Sequence, residues 1–396
     1  MCGLVSHVVW PISAAIALSA VISTLWLSGI TDRQGIWSKD YCSLLNDHSF
    51  LYGWICGLLF IPFIKNATSS LFRCCFADSG EDKLYGLDHA LLNIEMPPPS
   101  MWMNMGYWKH TQSFPEACTA LLEKVLRTAG LLDSNRRPLS VRDSSALRII
   151  DVGCGCGDQT IYLMKWLARI DDHAPGSERR PLFDAYVGIN VNQHQAEFAR
   201  QRIKDTGRSD SIHIFCADAA DPTSWSRELK DAVTATSQQG FGDKQSQTAH
   251  TWLLALDTLY HFKPSRDPLL SYAARELRAS FMAFDLILAD SVHPVDNILL
   301  RAVCFMSSIP FSNFKTLSDY RDMLVRAGYA SDNIEIHDIS EYVFSGIGGY
   351  MERREAELRQ FKLSLGKLQV AGKLFSWWGR SNIVRGVVVV ARRNAI

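Results

Sequence analysis

Hydrophobic patterning divides the chain into an apolar N-terminal part and an alternating remainder. Residues 8–30 carry no charge over 23 positions, and residues 50–64 form a second uncharged run. A helix needs about 20 apolar residues to cross a bilayer. We therefore predict a membrane anchor of one or two hydrophobic helices in residues 1–70 and a linker over 71–100. A cleaved signal peptide is the alternative for the first run, although that run is long and no basic segment precedes it.

Beyond residue 100, short apolar runs alternate with amphipathic stretches. The run Leu147–Val152 is mostly apolar and ends at Gly153, Gly155 and Gly157, after which Asp158 opens an amphipathic helix. A strand, a glycine turn and a helix in this order form the first unit of a doubly wound α/β sheet. Glycines at the turn allow a tight bend and let a ligand approach the backbone.

The same alternation predicts six further strands in a domain over residues 101–396. Polar, glycine-bearing residues 234–249 predict a surface loop. A helical insertion at about 341–380 separates the last two strands, with one helix predicted over 349–374. A hairpin between antiparallel strands needs only a few residues, so this insertion has a purpose of its own.

The glycine spacing does not match the dinucleotide-binding fingerprint G-x-G-x-x-G. Counting from Gly153 puts Asp158 where the third glycine belongs, and counting from Gly155 puts Thr160 there. An acidic residue at a helix N-terminus would also repel a pyrophosphate. A nicotinamide-dependent oxidoreductase is therefore a disfavoured alternative.

Composition removes further classes of function. The chain has 41 basic and 41 acidic residues, a formal net charge of zero, so no bulk basic character indicates a nucleic-acid partner. Its ten cysteines show no repeated pairs at zinc-ligand spacing, and we expect no metal site.

Three segments carry a family resemblance. The motif D-x-G-x-G-x-G, from Asp151 to Gly157, resembles motif I of the class I S-adenosylmethionine (SAM) methyltransferases. The sequences NMGYW at 104–108 and GINVNQHQ at 188–195 are similar to segments of a small-molecule and lipid subgroup. This subgroup includes the cyclopropane-fatty-acid synthases and the tocopherol and sterol methyltransferases. The resemblance spans residues from 103 to about 340. It implies a Rossmann-like sheet of seven strands with the last strand antiparallel.

The resemblance also implies SAM as the cofactor and assigns residues to it. Asp151 and the three glycines would lie beside its methionine portion. Asn190 replaces the acid that commonly binds the ribose, and its amide can still bond a hydroxyl there, with Gln195 in the same motif. Asp218 and Ala219 would meet the adenine.

Two residues are candidates for catalysis. The resemblance places Tyr107 in a lid over SAM, close to the sulfonium, where an aromatic face stabilises a cation; an aromatic staple on the core is the alternative. His261 is the other, and it follows the fourth strand together with Asp257, which we assign to the cofactor; ligands bind at this edge in open α/β sheets. His261 has the pKa range of a general base near neutral pH, but a structural histidine is the alternative.

We therefore predict a membrane-associated SAM-dependent methyltransferase acting on a lipophilic small molecule, such as a lipid, a sterol or a secondary metabolite. The basic and aromatic insertion is typical of an interfacial membrane helix, and a substrate lid is the alternative. A SAM-dependent domain should face the cytosol, at the endoplasmic reticulum or another endomembrane. A membrane-tethered pseudoenzyme that binds SAM or a partner without turnover is the second hypothesis.

Overall fold

One mixed β-sheet organises the computed structural model, which describes residues 94–139, 146–165, 167, 182–207, 211–238 and 250–393. Its strands in chain order are β1 (Leu147–Val152), β2 (Ala185–Asn190), β3 (Ile212–Cys216), β4 (His250–Leu256), β5 (Ser280–Leu288), β6 (Ile334–Asp338) and β7 (Val384–Ala391). Their order across the sheet is β3-β2-β1-β4-β5-β7-β6. Strands β1 to β5 are parallel, and β7 pairs antiparallel with both β5 and β6. This arrangement confirms the predicted α/β sheet with its antiparallel last strand.

Helices connect the strands and cover both faces of the sheet. In chain order they are α1 (Phe114–Thr128), α2 (Asp158–Lys165), α3 (Gln193–Lys204), α4 (Arg227–Gln238), α5 (Asp267–Arg275), α6 (Pro294–Met306), α7 (Leu317–Ala327), α8 (Phe344–Gln360) and α9 (Leu368–Ser381). Short 3₁₀ turns at Leu259–His261 and Phe311–Asn313 follow β4 and α6.

The central strands bury both of their faces. Ile149 and Leu254 belong to the hydrophobic core on one side, while Ile150 and Leu253 belong to the core on the other. Because neighbouring side chains on a strand point to opposite faces, burial on both sides requires continuous apolar runs. This requirement explains the apolar pattern from which the strands were predicted.

Two predictions about connecting segments need correction. The stretch 234–249 was predicted as a loop, but α4 continues to Gln238, and residues 239–249 lie outside the described part. The segment between the fifth predicted strand and Phe314, for which the apolar pattern predicts no helix or strand, contains α6. The sequence does not predict α6 because apolar residues lie on both its buried and its exposed sides. The helix therefore lacks the alternation of apolar and polar faces by which amphipathic helices are recognised.

The insertion is a helical hairpin and not the single helix predicted over 349–374. Helix α8 ends at Gln360, and the turn that follows is held by Glu355, whose carboxylate accepts a 2.8 Å hydrogen bond from the Leu365 amide. Helix α9 then packs back on α8 at Gly348, where a Cβ would lie 2.4 Å from the Ser376 Oγ. The close approach of the two helices is a tertiary feature that helical periodicity does not encode.

Within the described ranges, no helix is long and apolar enough to cross a bilayer. The predicted anchor in residues 1–70 and most of the predicted linker at 71–100 lie outside the described residues. Both therefore stay predictions.

A buried ion pair joins the start of α5 to β5. Arg266 and Asp285 are both fully buried and paired, and the Tyr320 hydroxyl donates to Asp285 at 2.7 Å. Arg266 also donates to the Asn313 carbonyl, and Asn313 Nδ2 donates to the Phe262 carbonyl at 2.7 Å. This network fixes the turn that carries His261 against the sheet.

Replacing Arg266 with Met should therefore destabilise the fold strongly. Loss of the guanidinium leaves the carboxylate of Asp285 buried without its partner, which lowers the free energy of unfolding by about 3–5 kcal/mol. Chemical denaturation measures this change. The exposed pair Arg227–Asp231 supplies the control, since Arg227→Met should leave the stability unchanged. Equal stability of the two variants would contradict the account.

Candidate active site

The predicted cofactor residues converge at one edge of the sheet. The glycine loop follows β1, Asn190 ends β2, Asp218 follows β3 and Asp257 follows β4. Because β3, β2, β1 and β4 are consecutive and parallel, their carboxyl ends lie side by side. In open α/β sheets this is the edge at which ligands bind.

The glycine loop adopts a backbone that side chains disfavour. Gly153, Gly155 and Gly157 have φ values of +78°, +57° and +85°, in the region that glycine enters without penalty. A Cβ on Gly153 would collide with Thr258, and one on Gly157 would press on Ala199. A Cβ on Gly155 would meet only the Met103 Cε, at 3.6 Å. Gly155 is therefore the part of the loop that faces open space, bounded by Met103.

Asp151 supports the loop from within the protein. It is fully buried and accepts hydrogen bonds from Gln159 Nε2, at 2.7 and 2.6 Å, and from the Tyr186 hydroxyl. Burial raises the pKa of Asp151 to about 6, although these two donors lower it. The carboxyl therefore links the end of β1 to the start of α2.

Asn190 and Gln195 form one hydrogen-bonded unit at the end of β2. Asn190 Nδ2 donates to the Gly155 carbonyl and to Gln195 Oε1, both at 3.0 Å, and its Oδ1 accepts from the Asn192 amide. Gln195 Nε2 points towards the Met103 sulfur at 3.6 Å. Both amide hydrogens of Asn190 are thus used inside the protein, and the Gln195 amide group is the better placed donor for a ribose hydroxyl.

Asp218 and Ala219 lie at the end of β3. Asp218 is exposed, and one carboxylate oxygen accepts a 2.8 Å hydrogen bond from the Ala220 amide. Ala219 is buried, and the Trp225 indole donates to the Asp218 carbonyl at 2.8 Å. The turn is therefore rigid and presents an acceptor at the surface, as the predicted adenine contact requires.

Asp257 holds the most unusual carboxyl group of the site. Its backbone has φ +63°, its Oδ2 accepts a 2.7 Å hydrogen bond from the Met105 amide, and its Oδ1 is buried with no partner in the described part of the chain. Burial raises the pKa of Asp257 to about 7, while the Met105 amide and the Tyr260 side chain lower it. A buried carboxylate oxygen without a partner favours a cationic or hydrogen-bonding ligand.

Residues 101–108, here called the cover segment, run across this edge of the sheet. The Met101 amide donates to Asp158 at the start of α2 at 3.0 Å, and the Met105 amide donates to Asp257 beyond β4. Met103 lies between these two anchors, above Gly155. The segment therefore spans the glycine loop, which agrees with the lid expected from the resemblance.

Tyr107 and Trp108 tie the cover segment to the helical hairpin. The Tyr107 ring meets Tyr342 edge-on, with centroids 5.3 Å apart, and burial raises the pKa of its hydroxyl. The Trp108 amide donates to the Tyr342 carbonyl at 2.7 Å, and its indole donates to the Met105 carbonyl at 2.8 Å. A Cβ on Gly346 of α8 would lie 2.2 Å from Trp108 Cγ. The indole thus packs directly on the backbone of α8.

His261 lies in the turn after β4, at the same edge. It is partly exposed to solvent, and one side of its ring is covered by Tyr260, with ring centroids 4.2 Å apart. Partial burial lowers the pKa of His261, and the nearby Lys263 lowers it further. The imidazole is therefore neutral near pH 7 and able to accept a proton.

The sequence predictions missed three contributors to this site. Met103 bounds the space above Gly155, Asp158 holds the first residue of the cover segment, and Gly346 receives the Trp108 ring. The alternation of Met101, Met103 and Met105 was the available signal for an extended segment with one apolar side.

Comparisons with known proteins agree with the resemblance to methyltransferases. No family model matches the chain. The methyltransferase GfsG of Streptomyces halstedii is 24% identical over 200 residues, which cover 50% of this chain and 57% of that protein. The chain thus matches little more than half the length of that relative.

Several solved structures with a similar fold are named as methyltransferases or as a cyclopropane synthase. They include the cyclopropane synthase MmaA2 of Mycobacterium tuberculosis, with TM-score 0.47, 11% identity and coverage of 74% of this chain and 90% of that chain. Another is the geranyl diphosphate C-methyltransferase of Streptomyces coelicolor A3(2), with TM-score 0.43, 14% identity and coverage of 71% and 82%. A third is the phosphoethanolamine N-methyltransferase 2 of Haemonchus contortus, with TM-score 0.48, 12% identity and coverage of 71% and 53%. The name of the relative GfsG agrees with the expected resemblance to methyltransferases, and the fold assignment rests on the strand order of this chain.

The site fits SAM on its own geometry. The open face of Gly155 admits a ligand against the backbone, and the unpartnered Oδ1 of Asp257 suits an ammonium group. SAM carries two positive charges and no phosphate, so the acidic residues at this edge favour it over a nucleotide. The Gln195 amide and the exposed Asp218 provide a donor and an acceptor for the nucleoside.

The contact between Trp108 and Gly346 generates a prediction about cofactor affinity. Alanine in place of glycine normally stabilises a helix by up to about 1 kcal/mol. At Gly346, however, the added methyl group would displace the Trp108 ring. Because the Trp108 indole is bonded to the Met105 carbonyl, this shift would also disturb the hydrogen bond from the Met105 amide to Asp257. We expect Gly346→Ala to weaken SAM about tenfold, or about 1.4 kcal/mol, measured by calorimetry.

Gly349 on the same helix is the matched control. A Cβ there would meet only the end of the Arg353 side chain, at 3.6 Å. Gly349→Ala should keep full affinity and unfold at an equal or higher temperature. Equal affinity of both variants would show that the cover segment does not depend on α8.

Proposed function

We propose that this chain is a SAM-dependent methyltransferase that acts on a lipophilic small molecule. One observation carries the proposal: the buried, unpartnered Asp257 Oδ1 and the open face of Gly155 lie at the same sheet edge, under one cover segment. The cofactor is SAM, and when bound it supplies an activated methyl group on a sulfonium.

The chain's own residues have four tasks in this reaction. Asp257 binds and orients the methionine amine, and Gln195 and Asp218 orient the nucleoside. The cover segment excludes water, which protects the reacting centre and fixes its geometry. His261 accepts the proton of an acidic acceptor group such as a phenol or a carboxylic acid. An acceptor that reacts at carbon or nitrogen would make less use of this base.

Aromatic side chains form the core that supports the site from the side of the helical hairpin. Phe314, Phe344 and Phe375 surround Trp378, with ring centroids 5.6 to 6.3 Å from it. The indole nitrogen of Trp378 is buried and lacks a hydrogen-bond partner among the described residues. These rings belong to the hydrophobic core, so the proposal of a lipid, a sterol or a secondary metabolite as the acceptor rests on the resemblance and on the uncharged runs 8–30 and 50–64.

Attachment to a membrane is part of the proposal. The uncharged runs 8–30 and 50–64 support it from the sequence. A SAM-dependent domain works where SAM is made, so we propose that it faces the cytosol from the endoplasmic reticulum or another endomembrane. The alternative of a SAM-binding protein without turnover is separated from the enzyme by methyl transfer to any component of a lipid extract.

Calorimetric titration of the full-length protein in detergent tests the cofactor. SAM should bind and NADH should not, and Gly155→Val should abolish SAM binding because its side chain occupies the open space beside Met103.

Gly207 supplies the control for backbone strain in this titration. It also has a positive φ, +70°, but no atom lies within 4 Å of a Cβ there. Gly207→Val should therefore bind SAM like the wild type. Retained binding in Gly155→Val, or loss in both variants, would overturn the assignment of the loop.

SAM affinity should also depend on pH through Asp257. A cationic ligand binds the ionised carboxylate, and the pKa of about 7 leaves much of this group protonated in the free protein at lower pH. Affinity should therefore be about fivefold lower at pH 6 than at pH 7.

Two variants identify the titrating group. Asp257→Asn should bind more weakly and lose the dependence over this interval, while Asp218→Asn should retain it. A dependence that persists in Asp257→Asn would assign the titration to another residue and contradict the proposed role.

A further inference from the structure

Helix α6 presents an apolar face to the outside of the protein. Its large apolar residues on this face are 48 to 87% exposed. They are Val295, Ile298, Leu299, Phe305 and Met306. Their spacing places them on one side of the helix, while Leu300 and Cys304 pack into the core from the other side. A patch of this kind on a protein surface marks a site of interaction.

Basic residues surround this face. Arg301 on α6 lies over the Phe311 ring at 4.0 Å and is exposed. On α9, Trp377 donates to Asp296 at the start of α6, and the exposed Lys373 and Arg380 lie one turn before and after Trp377. Helices α6 and α9 contain one acidic residue, Asp296, and its carboxylate accepts the hydrogen bond from the Trp377 indole. The charge at the edge of the apolar face is therefore predominantly positive.

We infer that the exposed face of α6, with the adjoining basic residues of α9, binds the surface of an anionic lipid bilayer. Apolar side chains bordered by Lys and Arg, with a Trp at the boundary, match the acyl and headgroup layers of such a surface. This inference rests on the proposed function, since it gives a lipophilic acceptor a route from the bilayer to the carboxyl edge of the sheet.

A second copy of the chain fits this face less well. A two-fold dimer brings the same patch of both subunits together, so the basic border formed by Arg301, Lys373 and Arg380 would come close to the same basic border of the other subunit. Like charges opposed across an interface are unfavourable. A bilayer that contains acidic headgroups compensates the same charges.

Site-specific photocrosslinking of the full-length protein tests the surface. The photoreactive residue p-benzoylphenylalanine replaces Ile298 or Phe305 on α6, or the exposed Asp231 on α4 as the control. Vesicles of phosphatidylcholine, with or without phosphatidylserine, are the probe. Comparison of positions within one molecule separates this surface from any attachment through the N-terminal apolar runs.

We expect lipid adducts at 298 and 305 at least about fivefold above those at 231, increasing with phosphatidylserine. The double variant Lys373→Glu and Arg380→Glu should remove the increase. Lipid labelling at 298 and 305 no higher than at 231, or crosslinks to a second copy in place of lipid, would overturn the inference.

SAM titration of the same samples distinguishes the two proposals. Normal SAM binding without lipid adducts on α6 rejects the lipid surface alone. Lipid adducts on α6 in a folded protein that does not bind SAM support the surface and reject the proposed function.

Discussion

The hydrogen bond from the Met105 amide to Asp257 joins residues 152 positions apart and closes the cover segment over the sheet edge. It has a cost, because it helps to bury a carboxyl group whose pKa rises to about 7 and whose second oxygen has no partner in the described chain. A buried carboxyl group with a raised pKa and an unpaired oxygen is typical of a functional site, where a bound ligand supplies the missing partner. The other features of the site are arranged around this one carboxyl.

The cover segment connects the cofactor side of the site to the helical hairpin of α8 and α9. Trp108 bonds to Met105 at one end and packs on α8 at Gly346, and α8 packs closely on α9. Helix α9 in turn reaches α6 through Trp377 and Asp296. A change at the helical hairpin is thus transmitted to Asp257 through direct contacts.

Local patterns were sufficient to predict the sheet and the position of the site. The run Leu147–Val152 and its glycines form a strand and a turn for reasons contained in their own sequence, and parallel neighbours bring the other strand ends to them. Helix α6 was missed because its exposed side is as apolar as its buried side. The break between α8 and α9 was missed because it depends on the Glu355–Leu365 hydrogen bond and on the close packing of the two helices at Gly348, which helical periodicity does not encode.

The roles of individual polar groups depended on contacts that sequence does not reveal. Asn190 was expected at the ribose, but the Gly155 carbonyl and Gln195 take both of its amide hydrogens. Asp218 was expected to meet the adenine, and the structure places its carboxylate at the surface, where one oxygen accepts a hydrogen bond from the Ala220 amide. The central role of Asp257 depends on its hydrogen bond with the Met105 amide, a contact between distant residues that sequence does not reveal. Position on the fold was predictable for these residues, whereas orientation was not.

A crystal structure of the full-length protein with S-adenosylhomocysteine tests the central claim most directly. The account predicts the amino group of the ligand within hydrogen-bond distance of Asp257 Oδ1, and the ligand against Gly155 with the Met103 side chain moved aside. The Met105–Asp257 hydrogen bond should persist. Ligand bound elsewhere, or bound with Asp257 Oδ1 still unpartnered and Met103 still above Gly155, would contradict the account.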